Sequence, residues 1–135
     1  MTLAHLYRIG KKARAWAERT AKKEHFGSEL SGLCARSAVQ LYTLLSQNSI
    51  EATIVYNRAH FHFFVLVEGY VIDVTATQFL NTYDKPVLVL PTEETSQYPQ
   101  YTIDLVFPAP QKVAFYQKRT HWPTNQISNN GDSYE

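Results

Sequence analysis

Cysteine is almost absent from this chain. Cys34 is the only one in 135 residues, so no internal disulfide framework can form, and a reducing compartment is the expected setting. Long apolar runs are missing as well: none approaches the ~20 residues that a membrane-crossing helix requires. The opening MTLAHLYRIGKKARAWAERT places charges where a signal peptide would need an uninterrupted apolar stretch. The expected address is therefore the cytoplasm, with no membrane partner. No internal repeat and no linker composition divides the chain. One domain over residues 1–126 is expected, followed by a polar, disordered tail over 127–135.

Charged residues make up 19% of the chain and leave a net charge of +1. The balance is uneven. Residues 1–36 carry eight Lys and Arg against three acids, so the remainder is net negative. A basic first helix of this kind reads first as a solvated face, and as a surface that could meet an acidic partner. Aromatic residues are not interleaved with these charges except at Trp16, which is expected in the core, so nucleic acid is not an expected partner. Apolar residues reach 44%, with nine Tyr, seven Phe and two Trp, enough for a real core in one domain.

Leu3, Leu6, Tyr7, Ala13, Trp16, Ala17 and Ala21 recur at helical spacing, which predicts an amphipathic helix over 2–24. Gly10 weakens it locally. HFGSELSG breaks the period and predicts a loop. From Gly32–Leu33 the chain resumes a helical stripe through Leu41, Leu44 and Leu45, ended by Gln47-Asn48-Ser49. The pattern then switches to strands at 52–56, 61–67, 70–75, 87–90, 101–107 and 113–116, with six prolines between and around them. Glu68-Gly69 reads as a tight hairpin turn that sets Val67 opposite Tyr70. Two helices followed by a mostly antiparallel sheet give the fold class α+β.

Three residues are chemically out of place in this pattern. Cys34 falls in the first turn of the second helix, where free N–H groups and the helix dipole favour a thiolate over a thiol. A lone cysteine more often packs as a small hydrophobe, so its partners decide the matter. His60 and His62 lie two apart at the start of a strand apolar on both faces, and a buried imidazole there needs a hydrogen-bond partner. His60, nearer the strand end, reads as structural. Asp73 interrupts YVIDVT, where a bare carboxylate would be costly. The Glu68-Gly69 turn sets Asp73 diagonally across from His62 on one face. Between residues 37 and 111 only Arg58 and Lys85 could pair with Asp73 instead.

These residues also carry a resemblance. GLCARSAVQLYTLLSQNSIEATIV resembles the core of the transglutaminase-like superfamily within the papain-like group, where Gly-x-Cys opens a central helix. HFFVLVEGYVIDVTATQF is similar to that family's His-strand and Asp-strand hairpin. The resemblance spans about residues 31–79 and implies a central helix starting at the cysteine and packed on an antiparallel sheet. It further implies Cys34 as nucleophile, His62 as general base and acid, and Asp73 as orienting acid, acting on an amide of a protein or peptide through an acyl-thioester. No cofactor or metal is implied. Papain-type enzymes carry an oxyanion-hole Gln just before the cysteine, which HFGSELSG lacks. Ser28, Ser31, Gln78 and Asn57 are the candidates to replace it, with His60 a further auxiliary. Twenty-eight residues separate Cys34 from His62. That is far fewer than the ~130–150 of papain-type peptidases and points to the compact branch. Accessory β domains and an acidic calcium loop are absent from the sequence.

Two other readings compete. A non-catalytic interaction module could retain this fold and use the basic helix to hold a partner. Cys34, His60, His62 and Asp73 also include zinc-ligand residue types, which would make a metal site.

Overall fold

In the computed structural model, which describes residues 2–23 and 33–113, the first apolar stripe folds into α1 (Leu3–Lys23). Leu6, Ile9, Gly10, Ala13, Ala17 and Ala21 are its buried residues. Leu3 and Tyr7, expected on that stripe, stand at its solvent border with 47% and 39% exposure. Gly10 has a packing reason that the helical period does not reveal: a Cβ there would meet Val87 Cγ1 at 2.5 Å. The missing side chain lets α1 lie close to the segment entering the fourth strand. Trp16 is half-buried rather than core, packing beside Ala17, Ala21 and Leu33 with the Arg36 guanidinium 6.0 Å from its ring centre. Arg8, Lys11, Lys12, Arg19, Lys22 and Lys23 are solvent-exposed.

The second stripe folds into α2 (Cys34–Gln47), followed by β1 (Ala52–Asn57), β2 (His62–Val67) and β3 (Tyr70–Asp73). After β3 the chain makes two short 3-10 turns, over Ala76–Gln78 and Leu80–Thr82, before β4 (Leu88–Pro91). Two more, over Thr92–Gln97 and Pro99–Tyr101, precede β5 (Leu105–Phe107). The five strands form one antiparallel sheet in the order β4-β3-β2-β1-β5. The protein is α+β. Val67 pairs with Tyr70 as the Glu68-Gly69 turn requires, and Gly69 takes the left-handed φ of +83° that the turn needs. Among the described residues no helix is long and apolar enough to cross a membrane.

The period-two side-chain alternation of the strands divides the core into two layers. Ile54, Tyr56, Phe63, Val65, Val67, Ile72 and Phe107 face α1 and α2, where they meet Leu6, Ile9, Ala13, Ala38, Leu41 and Leu45. Val55, Phe64, Val71, Leu88 and Leu90 face the other way, onto Ala76 and Tyr101. The 3-10 segments after β3 and β4 thus cover the second face, which is why β2 reads as apolar on both sides.

Two strand expectations change. The expected strand 101–107 pairs only over Leu105–Phe107, because Tyr101 closes a 3-10 turn that starts at Pro99. Val113 lies in a helical turn over 110–113 rather than at the head of a strand, and its apolar character is spent in the helix-side core. Residues 114–116 and the tail 127–135 lie outside the described residues.

Candidate active site

Cys34 is the first residue of α2, and its cap residue Leu33 offers no side-chain hydrogen bond to the helix end. The first turn contains no acid. The N–H groups that open a helix therefore lack the usual Ser, Thr or Asp cap here, which leaves them to favour negative charge on a nearby atom. The thiol is 7% exposed and donates to the Phe61 carbonyl oxygen at 3.5 Å. Phe61 closes the turn between β1 and β2 and holds φ at +52°, a left-handed conformation that costs a bulky residue roughly 1–3 kcal/mol. That turn brings the head of β2 to the head of α2.

His62 is the first residue of β2 and is fully buried. Its Nε2 lies 2.7 Å from Asp73 Oδ2, and both side chains are shielded from solvent. The hairpin register sets Asp73 across from Phe64, one strand position from His62 on the same face, which is the diagonal geometry the turn predicts. The Cys34 side chain also acts on this ring and favours its charged form. Because Nε2 is taken by Asp73, Nδ1 is the ring nitrogen left to it. Phe79 stands edge-on to the ring at 4.7 Å between centroids and Phe64 stacks at 5.7 Å, so the imidazole is walled by aromatics.

Burial pushes the His62 ring toward neutrality. The charge and hydrogen bond of Asp73, with smaller contributions from the Cys34 thiol, overcome it and raise the pKa from 6.5 to about 10. Asp73 moves the opposite way: burial would raise it, but the His62 charge and the hydrogen bonds it accepts hold it below its ordinary 3.8. The pair is ionised at neutral pH.

Asp73 does two things at once. Its Oδ1 accepts from the Thr75 backbone N–H at 2.9 Å and the Thr75 hydroxyl at 3.2 Å, an Asx turn that ends β3. Its Oδ2 accepts from His62 and from the Tyr101 hydroxyl at 2.6 Å. The turn-capping role and the histidine-orienting role are shared between the two oxygens. Burial and the facing Asp73 charge push the Tyr101 phenol far above its ordinary range, so it stays a proton donor.

Tyr101 is the functional neighbour that the sequence does not mark, and its place depends on Asn57. The Asn57 amide nitrogen donates to the Pro99 and Thr102 carbonyl oxygens at 3.1 and 2.9 Å, bracketing Tyr101. Gln100 and Asn81 exchange two amide hydrogen bonds at 2.6 and 3.0 Å and tie the same turn to the segment after Asp73. Asn57 is therefore spent as scaffold and cannot serve as the oxyanion donor considered for it. His60 is likewise committed: it is exposed, and its backbone N–H and Nδ1 both lie 2.9 Å from Asn57 Oδ1. It does not join Cys34, His62 and Asp73. Among the described residues no group of three or more His, Cys, Asp or Glu is placed to hold a metal ion.

Gln78 does reach the site. Its Nε2 lies 3.4 Å from His62 Nδ1 and donates to Thr75 Oγ1 at 3.1 Å. Ser28 and Ser31 lie outside the described residues. A further partner comes from α1: the Arg14 Nη1 group donates to the Val74 carbonyl oxygen at 3.1 Å and the Thr77 hydroxyl at 2.9 Å, holding the segment that links Asp73 to Gln78. The chain matches no protein-family model, no curated protein and no solved structure.

Proposed function

We propose that the chain is a cysteine-dependent acyl-transfer enzyme acting on an amide bond of a protein or peptide, on a papain-like, transglutaminase-like core. The observation that carries this reading is a buried imidazole held by the Asp73 carboxylate on Nε2, with the Cys34 side chain acting on the same ring from the start of a helix without a side-chain cap. An imidazolium so placed is the counter-ion a thiolate needs, and the Asp73 carboxylate fixes its orientation. The thiolate adds to the amide carbonyl, His62 Nδ1 protonates the leaving nitrogen, and an acyl-thioester remains on Cys34. Water or an amine then takes the acyl group, with His62 as base; water is the default acceptor. The order Cys, His, Asp and the hairpin joining the last two support the resemblance over residues 31–79.

Alkylation of Cys34 by iodoacetamide at neutral pH tests the reading. The native thiol is expected to react at least roughly tenfold faster than glutathione, and His62→Ala to abolish the advantage. A native rate equal to that of glutathione, unchanged by His62→Ala, would sink it.

A further inference from the structure

We propose that Gln78 is a catalytic residue whose side-chain N–H holds the oxyanion formed when the Cys34 thiolate adds to a carbonyl, a role that rests on the acyl-transfer reading of Cys34.

A side-chain amide nitrogen carries two protons. One goes to Thr75 Oγ1 at 3.1 Å. Thr75 passes its own hydroxyl proton to Asp73 Oδ1, so its oxygen faces Gln78 as an acceptor and fixes which end of the amide points inward. The second proton faces His62 Nδ1 at 3.4 Å. Nδ1 can accept it only while the ring is neutral. Once the ring is an imidazolium, both ring nitrogens carry hydrogen: Nε2–H serves Asp73 and Nδ1–H serves the sulfur. The remaining Gln78 N–H then has no acceptor. Charge separation at the pair thus frees a donor on the Nδ1 side of the ring.

The other polar side chains in the hydrogen-bond set around Asp73 have no proton left to give. Among the described residues of this site, Asn57 is committed to Pro99 and Thr102, Thr75 to Asp73, Tyr101 to Asp73, and His60 to Asn57. Of the side chains bonded to His62 or Asp73, Gln78 keeps one in reserve, and the N–H groups opening α2 supply a natural second donor.

In the step served, the S–C bond forms while the carbonyl π pair moves onto oxygen, where Gln78 meets it. Collapse of the oxyanion restores the carbonyl and breaks the bond to the leaving group, which takes its proton from His62 when it is an amine. Gln78 itself neither gains nor loses a proton.

Two reagents separate this role from a structural one. p-Nitrophenyl acetate acylates Cys34 through an oxyanion and releases p-nitrophenolate; iodoacetamide alkylates it by displacement at a saturated carbon, with no oxyanion. In Gln78→Ala, and in Gln78→Leu, which keeps the volume, acetylation is expected to fall about 10²–10³-fold while alkylation stays within about threefold of the native rate. Circular dichroism checks that both variants remain folded. Acetylation that survives in the folded variants would overturn the assignment. A parallel fall in both rates would also overturn it, showing that Gln78 only positions His62. If the native protein itself alkylates no faster than glutathione, the reading of Cys34 falls first, and this role with it.

Discussion

Tyr101 and His62 hydrogen-bond to the same oxygen of Asp73, at 2.6 and 2.7 Å, one from the 3-10 turn over Pro99–Tyr101 and the other from the first position of β2. The phenol, not a cation, completes the carboxylate. A second positive charge would have competed with the imidazolium, whereas a neutral donor stabilises Asp73 while leaving His62 as its sole counter-ion.

Replacing Tyr101 by Phe removes one of the hydrogen bonds that hold Asp73 low, so Asp73 moves up toward its ordinary 3.8. Stability drawn from a depressed carboxylate is full above its unfolded value and lost as pH falls through its folded value, so a variant with a higher folded value holds less of it and meets acid with a smaller reserve. Acid unfolding followed by circular dichroism should shift upward in Tyr101→Phe. Tyr83→Phe, altered at a residue 67% exposed, should leave it in place. Coincident acid transitions in both variants and the native protein would count against the shared-oxygen role.

The His62–Asp73 pair also sets an alkaline limit. His62 is raised from 6.5 to about 10 in the fold, so its stabilisation is complete below 6.5 and drains away as pH climbs through about 10. One proton implies a slope near 1.4 kcal/mol per pH unit within that window. Urea titrations at a series of pH values should show this decline in the native protein and a flattened limb in Asp73→Asn, where the main group holding the ring charged is gone. An equal slope in the variant would exclude the pair as its source.

The hairpin that joins these residues was legible because its turn is short and its strands are apolar. Glu68-Gly69 fixes the register, and any polar residue on β2 or β3 stands out against it. Tyr101 was not legible. One tyrosine among nine carries no local mark, and YTIDLVF alternates like a strand until Asn57 draws the Pro99 and Thr102 carbonyls into a turn. Asn57 was considered as a donor to substrate for the same reason: its amide was visible, its two partners 42 and 45 residues away were not. Arg14 looked like one more cation on a solvated helix, yet besides Glu18 its head reaches acceptors 60 and 63 residues on.

Arg14→Met keeps the aliphatic stem of that residue and removes its head. The Val74 carbonyl and the Thr77 hydroxyl lose a charged donor, and the Asp73–Gln78 segment loses its tie to α1. Hydrogen bonds from a charged group contribute roughly 1.5–3 kcal/mol, so a stability loss of that size is expected in denaturant titration. Lys11→Met, at an exposed position of the same helix, should change little. Equal effects of the two would show that Arg14 is only another surface charge.

Ser37 gives a prediction of opposite sign. It lies one turn into α2 from Cys34, is 1% exposed, and its hydroxyl has no hydrogen-bond partner among the described residues. A buried hydroxyl without a partner costs roughly 1–3 kcal/mol, and Ala is also the better helix former. Ser37→Ala should therefore raise the unfolding midpoint. A loss of stability would mean that the hydroxyl is satisfied by a partner.

The hydrogen bonds that converge on Asp73 come from residues 2, 11 and 28 positions away along the chain. A growing or refolding chain presents Cys34 long before Tyr101 can dock. Until that last turn closes, the carboxylate lacks one donor and the imidazolium lacks its settled partner. The hydrogen-bond set around Asp73 is thus completed only as the last turn docks, and partly folded molecules carry Cys34 without it.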